Sequence, residues 1–162
     1  MNAPTRPPGS AAPTAPASAS FAWDDPFLLD DQLSDDERAR LEAALSPEEK
    51  RVLLAHGTEA PFCGTLLGEK RAGVFCCREC GLPLFRSRTK FESGTGWPSF
   101  TEPVDETHVE AVRDTSYGMV RIETRCARCG SHLGHVFYGE GFPTPTDARY
   151  CINSICLELV ED

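Results

Sequence analysis

Two copies of a Cys-x-x-Cys-Gly motif constrain the fold of this chain more than any other feature. They contribute four cysteines in two matching pairs: Cys77, Cys80, Cys126 and Cys129. Two such pairs, far enough apart to enclose several strands, are typical of a closed tetrahedral site, and we expect one structural Zn²⁺ per chain. Cys76 is an alternative ligand, but it would break the symmetry of the two motifs, so a small buried residue is the favoured interpretation.

Charge and composition limit the functions that are open to the chain. Its 162 residues carry a formal net charge of −9. A surface with this charge repels the phosphate backbone, so we expect no nucleic-acid binding. No stretch approaches the roughly 18 apolar residues of a membrane span, and the N-terminal stretch lacks the apolar segment of a secretory signal. We therefore expect a cytoplasmic protein that does not bind membranes. In a reducing compartment, eight cysteines favour metal ligation and thiol chemistry over a disulfide framework.

The composition along the chain predicts three regions. Residues 1–20 are rich in Pro, Ala and Ser and predict a disordered tail. Residues 21–57 predict an N-terminal arm with two short helices, which begin after the capping residues Ser34 and Ser46. Residues 58–162 predict a zinc-stabilised β domain that carries the catalytic residues.

Period-two patterns and frequent turns predict that this domain is mainly β. Val120, Ile122 and Thr124 alternate with Arg121, Glu123 and Arg125, as in a half-buried antiparallel strand. Further predicted strands cover residues 74–76, 108–112, 132–137 and 150–159. The predicted fold is two small antiparallel sheets, in a tent-like or barrel-like arrangement, which the four-cysteine site joins and the two short helices flank.

One cysteine, Cys151, lies outside the predicted metal site and has neighbours suited to thiol chemistry. Arg149 precedes it by two residues, and His132 and His135 lie upstream. A fixed positive charge favours the thiolate, and imidazoles exchange protons near neutral pH. Each of these residues alone has an ordinary structural explanation. Together they predict a nucleophilic cysteine.

Four segments together resemble a known enzyme family. In order they are residues 81–85 (GLPLF), 90–100 (KFESGTGWPSF), 131–137 (SHLGHVF) and 149–154 (RYCINS). The set resembles methionine sulfoxide reductase B, the peptide-methionine (R)-S-oxide reductases, over about residues 46–159. This resemblance implies thiol-dependent reduction of methionine-R-sulfoxide in proteins or peptides, with thioredoxin as the reductant. We also expect a monomer.

The resemblance assigns roles to individual residues. Cys151 resembles the nucleophile that attacks the sulfoxide sulfur and becomes a sulfenic acid, and Arg149 would favour its thiolate. His132 and His135 resemble the active-site histidines that donate to the departing oxygen.

Three more residues resemble the lining of the family's substrate pocket. Asn153 resembles a polar partner, on the same face as Cys151 if that segment is a strand. Trp97 resembles the residue that packs on the substrate methyl group, and Phe137 would line the same slot.

The chain departs from the commoner family pattern in having Thr95 where many relatives have the cysteine that resolves the sulfenic acid. Cys63 resembles a relocated resolving cysteine found in some relatives with this threonine. Cys76 and Cys156 are other candidates, although Cys156 would point away from Cys151 if both lie on one strand. Direct reduction without a resolving cysteine also stays open. A second departure, at residues 139–146, replaces a short Asp-Gly-Pro turn and predicts a reshaped rim.

Two other functions compete with this one. A non-enzymatic zinc-ribbon binding or chaperone module would need the cysteine pairs and the strands, but not Cys151, His135 and Asn153. A zinc nucleobase deaminase would need a His-x-Glu together with a Pro-Cys-x-x-Cys motif, and the sequence has no Pro-Cys-x-x-Cys.

Overall fold

The computed structural model describes residues 33–162, so the predicted tail and the beginning of the arm lie outside the described residues. Helix α1 spans Asp35–Ala43 and helix α2 spans Pro47–Leu53. Both begin as predicted, because the hydroxyl of Ser34 accepts from the amide of Glu37 and that of Ser46 from the amide of Glu49. No helix in the described part is long and apolar enough to cross a membrane.

Within residues 33–162, nine strands form two antiparallel sheets, which confirms the predicted fold class. The strands are β1 (Gly73–Cys77), β2 (Pro83–Arg86), β3 (Lys90–Phe91), β4 (Ser99–Phe100), β5 (Val109–Asp114), β6 (Arg121–Cys126), β7 (His132–Tyr138), β8 (Ala148–Ile152) and β9 (Leu157–Glu161). The smaller sheet has the order β2-β1-β9, and the larger has the order β3-β4-β8-β7-β6-β5. The sequence patterns missed β2, β3 and β4, because two to four residues are too few to show a period.

Aromatic side chains from both sheets form the core between them. Phe85 of the smaller sheet stacks on Phe100 of the larger, with ring centroids 4.5 Å apart, and Phe75 meets Phe100 edge-on at 5.1 Å. Helix α2 adds the buried Val52 and Leu53, and it packs against β7. The second helix of the arm is therefore part of the packed structure.

The last predicted strand, over residues 150–159, is divided in two. Strand β8 ends at Ile152 in the larger sheet, a 3₁₀ turn covers Ser154–Cys156, and β9 then joins the smaller sheet. The amide of Arg78, beside the first cysteine pair, donates to the carbonyl of Cys156 at 2.9 Å and holds this crossing. The single-strand prediction was wrong because a transfer between sheets leaves no mark on local hydrophobicity.

Strand β6 has the predicted alternation, but its apolar residues face outward. Val120, just before the strand, is 71% exposed and Ile122 is 38% exposed, whereas Glu123 is only 4% exposed. A half-buried strand normally buries its apolar side. Here the charged side of β6 instead faces a cavity, described below.

Close approach between β7 and β8 requires glycine at position 134. A Cβ atom there would lie 1.9 Å from the carbonyl oxygen of Cys151, a main-chain atom that cannot move without disturbing the strand pair. We expect Gly134→Ala to lower the free energy of unfolding by about 3 kcal/mol, as overpacking does. Gly68→Ala is the matched control, because no atom lies within 4 Å of its Cβ position. Urea unfolding measures both, and equal midpoints would contradict the close approach.

Candidate active site

The pairing of β8 with its two neighbours brings the predicted site residues together. Cys151 lies opposite His135 of β7 on one side and Ser99 of β4 on the other. Two residues along the same pair of strands, Phe137 lies opposite Arg149. Opposite residues of antiparallel strands point to the same face, as do residues two apart. The thiol, the imidazole, the guanidinium and the phenyl ring therefore share one face of the sheet.

A cavity of about 220 Å³ opens on this face. Six predicted site residues line it: Trp97, His135, Phe137, Arg149, Cys151 and Asn153. Thr95 also lines it. Of the other predicted residues, His132 lines a second cavity of about 530 Å³, which shares His135 with the first.

The Cys151 thiol is partly exposed and lies outside the four-cysteine cluster. Burial raises its pKa, and the neighbouring Arg149 guanidinium opposes that shift without cancelling it. Arg149 therefore lowers the pKa of the Cys151 thiol as predicted, but the loss of hydration raises that pKa by more. How readily this thiol ionises therefore depends on the charges around it.

Arg149 is held from three directions. Its Nε donates to Oε1 of Glu140 at 2.7 Å, and its Nη1 lies 3.4 Å from the hydroxyl of Thr95. The guanidinium carbon lies 4.8 Å from the ring centre of Phe137 and 5.7 Å from that of Phe142. Arg149 is thus a buried and positioned cation, where the sequence alone would also allow a surface charge.

Each histidine of the motif has a carboxylate partner. His135 Nε2 donates to Asp114 Oδ2 at 2.7 Å, and His132 Nδ1 donates to Glu123 Oε2 at 2.5 Å. Burial lowers the pKa of His132, although Glu123 acts in the opposite direction. Of the two imidazoles, only that of His135 lines the Cys151 cavity, so it is the one placed to exchange a proton there.

Glu123 collects donors from several parts of the chain. Burial alone would raise its pKa, but hydrogen bonds from Arg125, His56 and His132 outweigh burial and lower it to about 2. The carboxylate is therefore ionised throughout the physiological range and orients the His132 ring.

Asn153 lies just beyond the end of β8, yet it still faces the cavity. Its Nδ2 donates to the carbonyl of Leu133 at 3.0 Å, and its Oδ1 accepts from the amide of Glu59 at 3.0 Å. Trp97 is tied to the same segment, because its indole Nε1 donates to the carbonyl of Glu59 at 3.0 Å. These bonds fix the orientation of both side chains at the site.

Cys63 lies in a segment that covers the rim of the site. The amide of the preceding Phe62 donates to the carbonyl of Gly96 at 2.8 Å, beside Thr95. On the other side of Cys63, a Cβ at Gly64 would lie 2.1 Å from the hydroxyl oxygen of Ser154, so this segment also packs close to the residues after Cys151.

The exposed Cys63 thiol contrasts with the two other candidate resolving cysteines. Cys76 and Cys156 are 2% and 0% exposed. Burial raises the pKa of Cys76 to about 12, and that of Cys156 also lies well above the usual range. The structure also corrects the expectation that Cys156 shares a strand with Cys151.

The two Cys-x-x-Cys-Gly motifs form one compact cluster. Their four sulfur atoms all lie within 4.8 Å of one another, with Cys77 to Cys129 at 3.6 Å and Cys80 to Cys126 at 3.5 Å. Four thiolates around a tetrahedral Zn²⁺ at 2.3 Å would be about 3.8 Å apart, so the donor set fits a metal ion of this size.

The two knuckles, residues 77–81 and 126–130, also have the same backbone. The amide of Gly81 donates to the carbonyl of Cys77, and the amide of Gly130 donates to the carbonyl of Cys126, both at 2.8 Å. Both glycines have positive φ, 79° and 77°, a conformation that disfavours other residues.

Several groups around the site could not be identified from sequence. Glu59, Asp114, Glu123 and Glu140 hold or adjoin the predicted residues, and Arg121 lines both cavities. The only available signal was the charged side of β6, which contains Arg121 and Glu123. That signal indicates a solvent-exposed face in most strands.

Comparison with known proteins places the chain in a family. The SelR domain matches residues 45–161. A protein named peptide methionine sulfoxide reductase MsrB from Caulobacter vibrioides (strain NA1000 / CB15N) is 71% identical over 125 residues, which are 77% of each chain. A protein of the same name from Xylella fastidiosa (strain M23) is 56% identical over 127 residues, 78% of this chain and 81% of the relative. The chain therefore belongs to the SelR domain family of peptide methionine sulfoxide reductases.

Proposed function

We propose that this protein reduces methionine-R-sulfoxide in proteins or peptides to methionine, as a peptide-methionine (R)-S-oxide reductase. The observation that carries the proposal is the position of Cys151. Its thiol lies in a small cavity with an aromatic wall, beside a buried guanidinium and opposite an imidazole. An enzyme that attacks the sulfur of a methyl sulfoxide needs such a nucleophile, a proton donor for the oxygen and an apolar slot for the methyl group.

The first step consumes the thiol of Cys151 and the sulfoxide. The sulfur of Cys151 attacks the sulfoxide sulfur and forms an S–S bond, while the sulfoxide oxygen takes up a proton, for which His135 would be the donor. The protonated oxygen is then transferred to the Cys151 sulfur as the S–S bond and the original S–O bond break, so that Cys151 becomes a sulfenic acid and the methionine thioether leaves. Cys151 is thereby oxidised by two electrons and the sulfoxide reduced by two. In this mechanism Trp97 and Phe137 enclose the methyl group, and Asn153 orients the polar end.

The second step regenerates the enzyme through Cys63. Its thiol attacks the sulfenic sulfur, water leaves, and a Cys63–Cys151 disulfide forms. A dithiol reductant such as thioredoxin then returns both residues to thiols. The exposure of Cys63 and the packing of its neighbours on Gly96 and Ser154 support this choice, since Cys76 and Cys156 are buried.

The four-cysteine cluster would hold one structural Zn²⁺. Cys77, Cys80, Cys126 and Cys129 would supply all four of its ligands and would leave no open position for catalysis. The metal would supply a bond between the two halves of the domain, and Cys76 would stay free. No step of the proposed reaction uses the metal ion.

The same thiols support a proposal about the cellular setting. All eight cysteines lie in the described residues and none forms a disulfide. A reductase that must return to the thiol state fits a reducing compartment, so we propose a cytoplasmic enzyme with residues 58–162 as its catalytic domain. The monomeric state stays a prediction.

The decisive assay compares the two epimers of methionine sulfoxide. With thioredoxin as reductant, we expect the R epimer to be reduced and the S epimer to be unchanged. Cys151→Ser should lose about a thousandfold or more in turnover, because a hydroxyl is far less ionised than a thiol. Equal zinc content and melting temperature of wild type and variant would show that only the nucleophile changed. Substantial turnover by Cys151→Ser would overturn the proposal.

The role of Cys63 is tested by comparing a single turnover with repeated, thioredoxin-dependent turnover. Cys63→Ser should still reduce about one equivalent of substrate per chain, because the first step needs only Cys151, but it should lose thioredoxin-dependent cycling. Peptide mapping of the oxidised wild type should find a Cys63–Cys151 bridge. Normal cycling by Cys63→Ser would rule out this resolving role.

The metal assignment is tested by removing one ligand. We expect Cys77→Ala to lose bound zinc and to unfold at a much lower temperature, since structural zinc contributes on the order of 10–16 kcal/mol in small peptides. Cys76→Ala, the adjacent position, is the control and should keep one zinc per chain. Elemental analysis and thermal unfolding measure the two effects, and equal zinc loss in both variants would refute the assigned ligand set.

A further inference from the structure

We propose that Glu140 is a positioning residue that neutralises part of the Arg149 charge and so sets how readily Cys151 ionises. The inference depends on the proposed role of Cys151 as the nucleophile. It adds a residue from the reshaped rim to the machinery of the same site.

Glu140 and Arg149 form a two-pronged ion pair. Nε donates to Oε1 at 2.7 Å and Nη2 donates to Oε2 at 3.2 Å. Both carboxylate oxygens therefore face the guanidinium, the geometry in which such pairs are strongest. The Arg149 side chain is only 7% exposed and that of Glu140 is 34% exposed, so water screens the pair only in part.

Aromatic contacts hold the loop that carries Glu140. This loop joins β7 to β8, and Gly139 and Gly141, with φ of 70° and 82°, flank the glutamate. Phe142 packs on the Arg149 guanidinium and meets the ring of Phe91 edge-on, with centroids 5.5 Å apart. The carboxylate is thus brought to Arg149 by a segment anchored on both sides of it.

The charged and titratable groups around Cys151 come from several neighbouring elements. They are Arg149 on its own strand, Glu140 on the β7–β8 loop, Glu59 before β1, His135 on β7 and Arg121 on β6. The neighbouring strand β4 presents Ser99, which carries no charge. Among these, Arg149 favours the thiolate, while Glu140 and Glu59 disfavour it.

Glu140 is the group whose effect can be changed without disturbing the cavity. Glu59 also holds the amide of Ile155, whereas within residues 33–162 the Glu140 side chain is hydrogen-bonded to Arg149 alone. The glutamate belongs to residues 139–146, where this chain departs from the short turn of many relatives. The Glu140–Arg149 pair therefore adjusts the ionisation of Cys151 through a residue of the β7–β8 loop.

The test is the pH dependence of Cys151 alkylation in the full-length, zinc-loaded protein. Glu140→Gln keeps an acceptor for Nε but removes the negative charge, so the Arg149 charge should act on Cys151 uncompensated. We expect the midpoint of the iodoacetamide rate profile to fall by about one pH unit, which is about tenfold more thiolate below the midpoint. Mass spectrometry of the Cys151 peptide separates this thiol from Cys63.

Glu102→Gln is the matched control, because it removes the same charge from an exposed residue in a different cavity. We expect its Cys151 profile to match that of the wild type. An unchanged midpoint in Glu140→Gln, or the same shift in both variants, would overturn the inference. A rise of the midpoint would also overturn it, because it would mean that Glu140 mainly holds Arg149 near the thiol.

The alkylation rate does not require catalysis, so this inference and the proposed function can fail separately. If Cys151→Ser kept reductase activity, the proposed function would fail whatever the alkylation profiles showed. If the alkylation midpoint falls as expected, the pH profile of kcat/KM for a sulfoxide peptide should move in the same direction.

Discussion

The four-sulfur cluster is the constraint on which the arrangement of the two sheets depends. Cys77 is the last residue of β1 in the smaller sheet, and Cys126 is the last residue of β6 in the larger. Their motifs meet with sulfurs 3.5 to 3.6 Å apart across 46 to 52 residues of sequence. Such a contact fixes how the strands that lead into it can lie, and the aromatic core then fills the space between the sheets. Helix α1 is tied to the same point, because the guanidinium of Arg38 donates to the carbonyl of Cys129.

The site lies on strand β8, in the middle of the larger sheet. Strand β8 lies between β4 and β7, so Cys151 has a neighbour on each side and its face of the sheet becomes the wall of a cavity. Burial of this strand gives shape to the cavity, but it also disfavours the thiolate. The buried cation Arg149 favours the thiolate, and the carboxylate of Glu140 neutralises part of the Arg149 charge. The reactivity of the thiol is thus a balance of burial and two opposed charges.

The sequence was informative wherever a feature depends on near neighbours. The capping residues Ser34 and Ser46 located both helices, since a cap and its amide partner are three residues apart. The paired cysteine motifs predicted the cluster, because the spacing within each pair suits one ion. Six of the predicted site residues line one cavity, since they lie on adjacent strands or in the loops beside them. The long segments that resemble a family carried most of the information about function.

What the sequence determined by itself was the two helices, most of the longer strands, the cysteine pairs of the cluster, the family and the candidate thiol. Tertiary structure alone decided the exchange of sheets after Ile152, the outward apolar side of β6 and the carboxylate partners of the two histidines. It also decided how readily Cys151 ionises, because its pKa reflects burial and charges that come from β8, from the β7–β8 loop and from the segment before β1. The physical reason is one of range. Caps, turns and ligand spacings act over a few residues of chain, whereas desolvation and charge act through space between segments far apart in sequence.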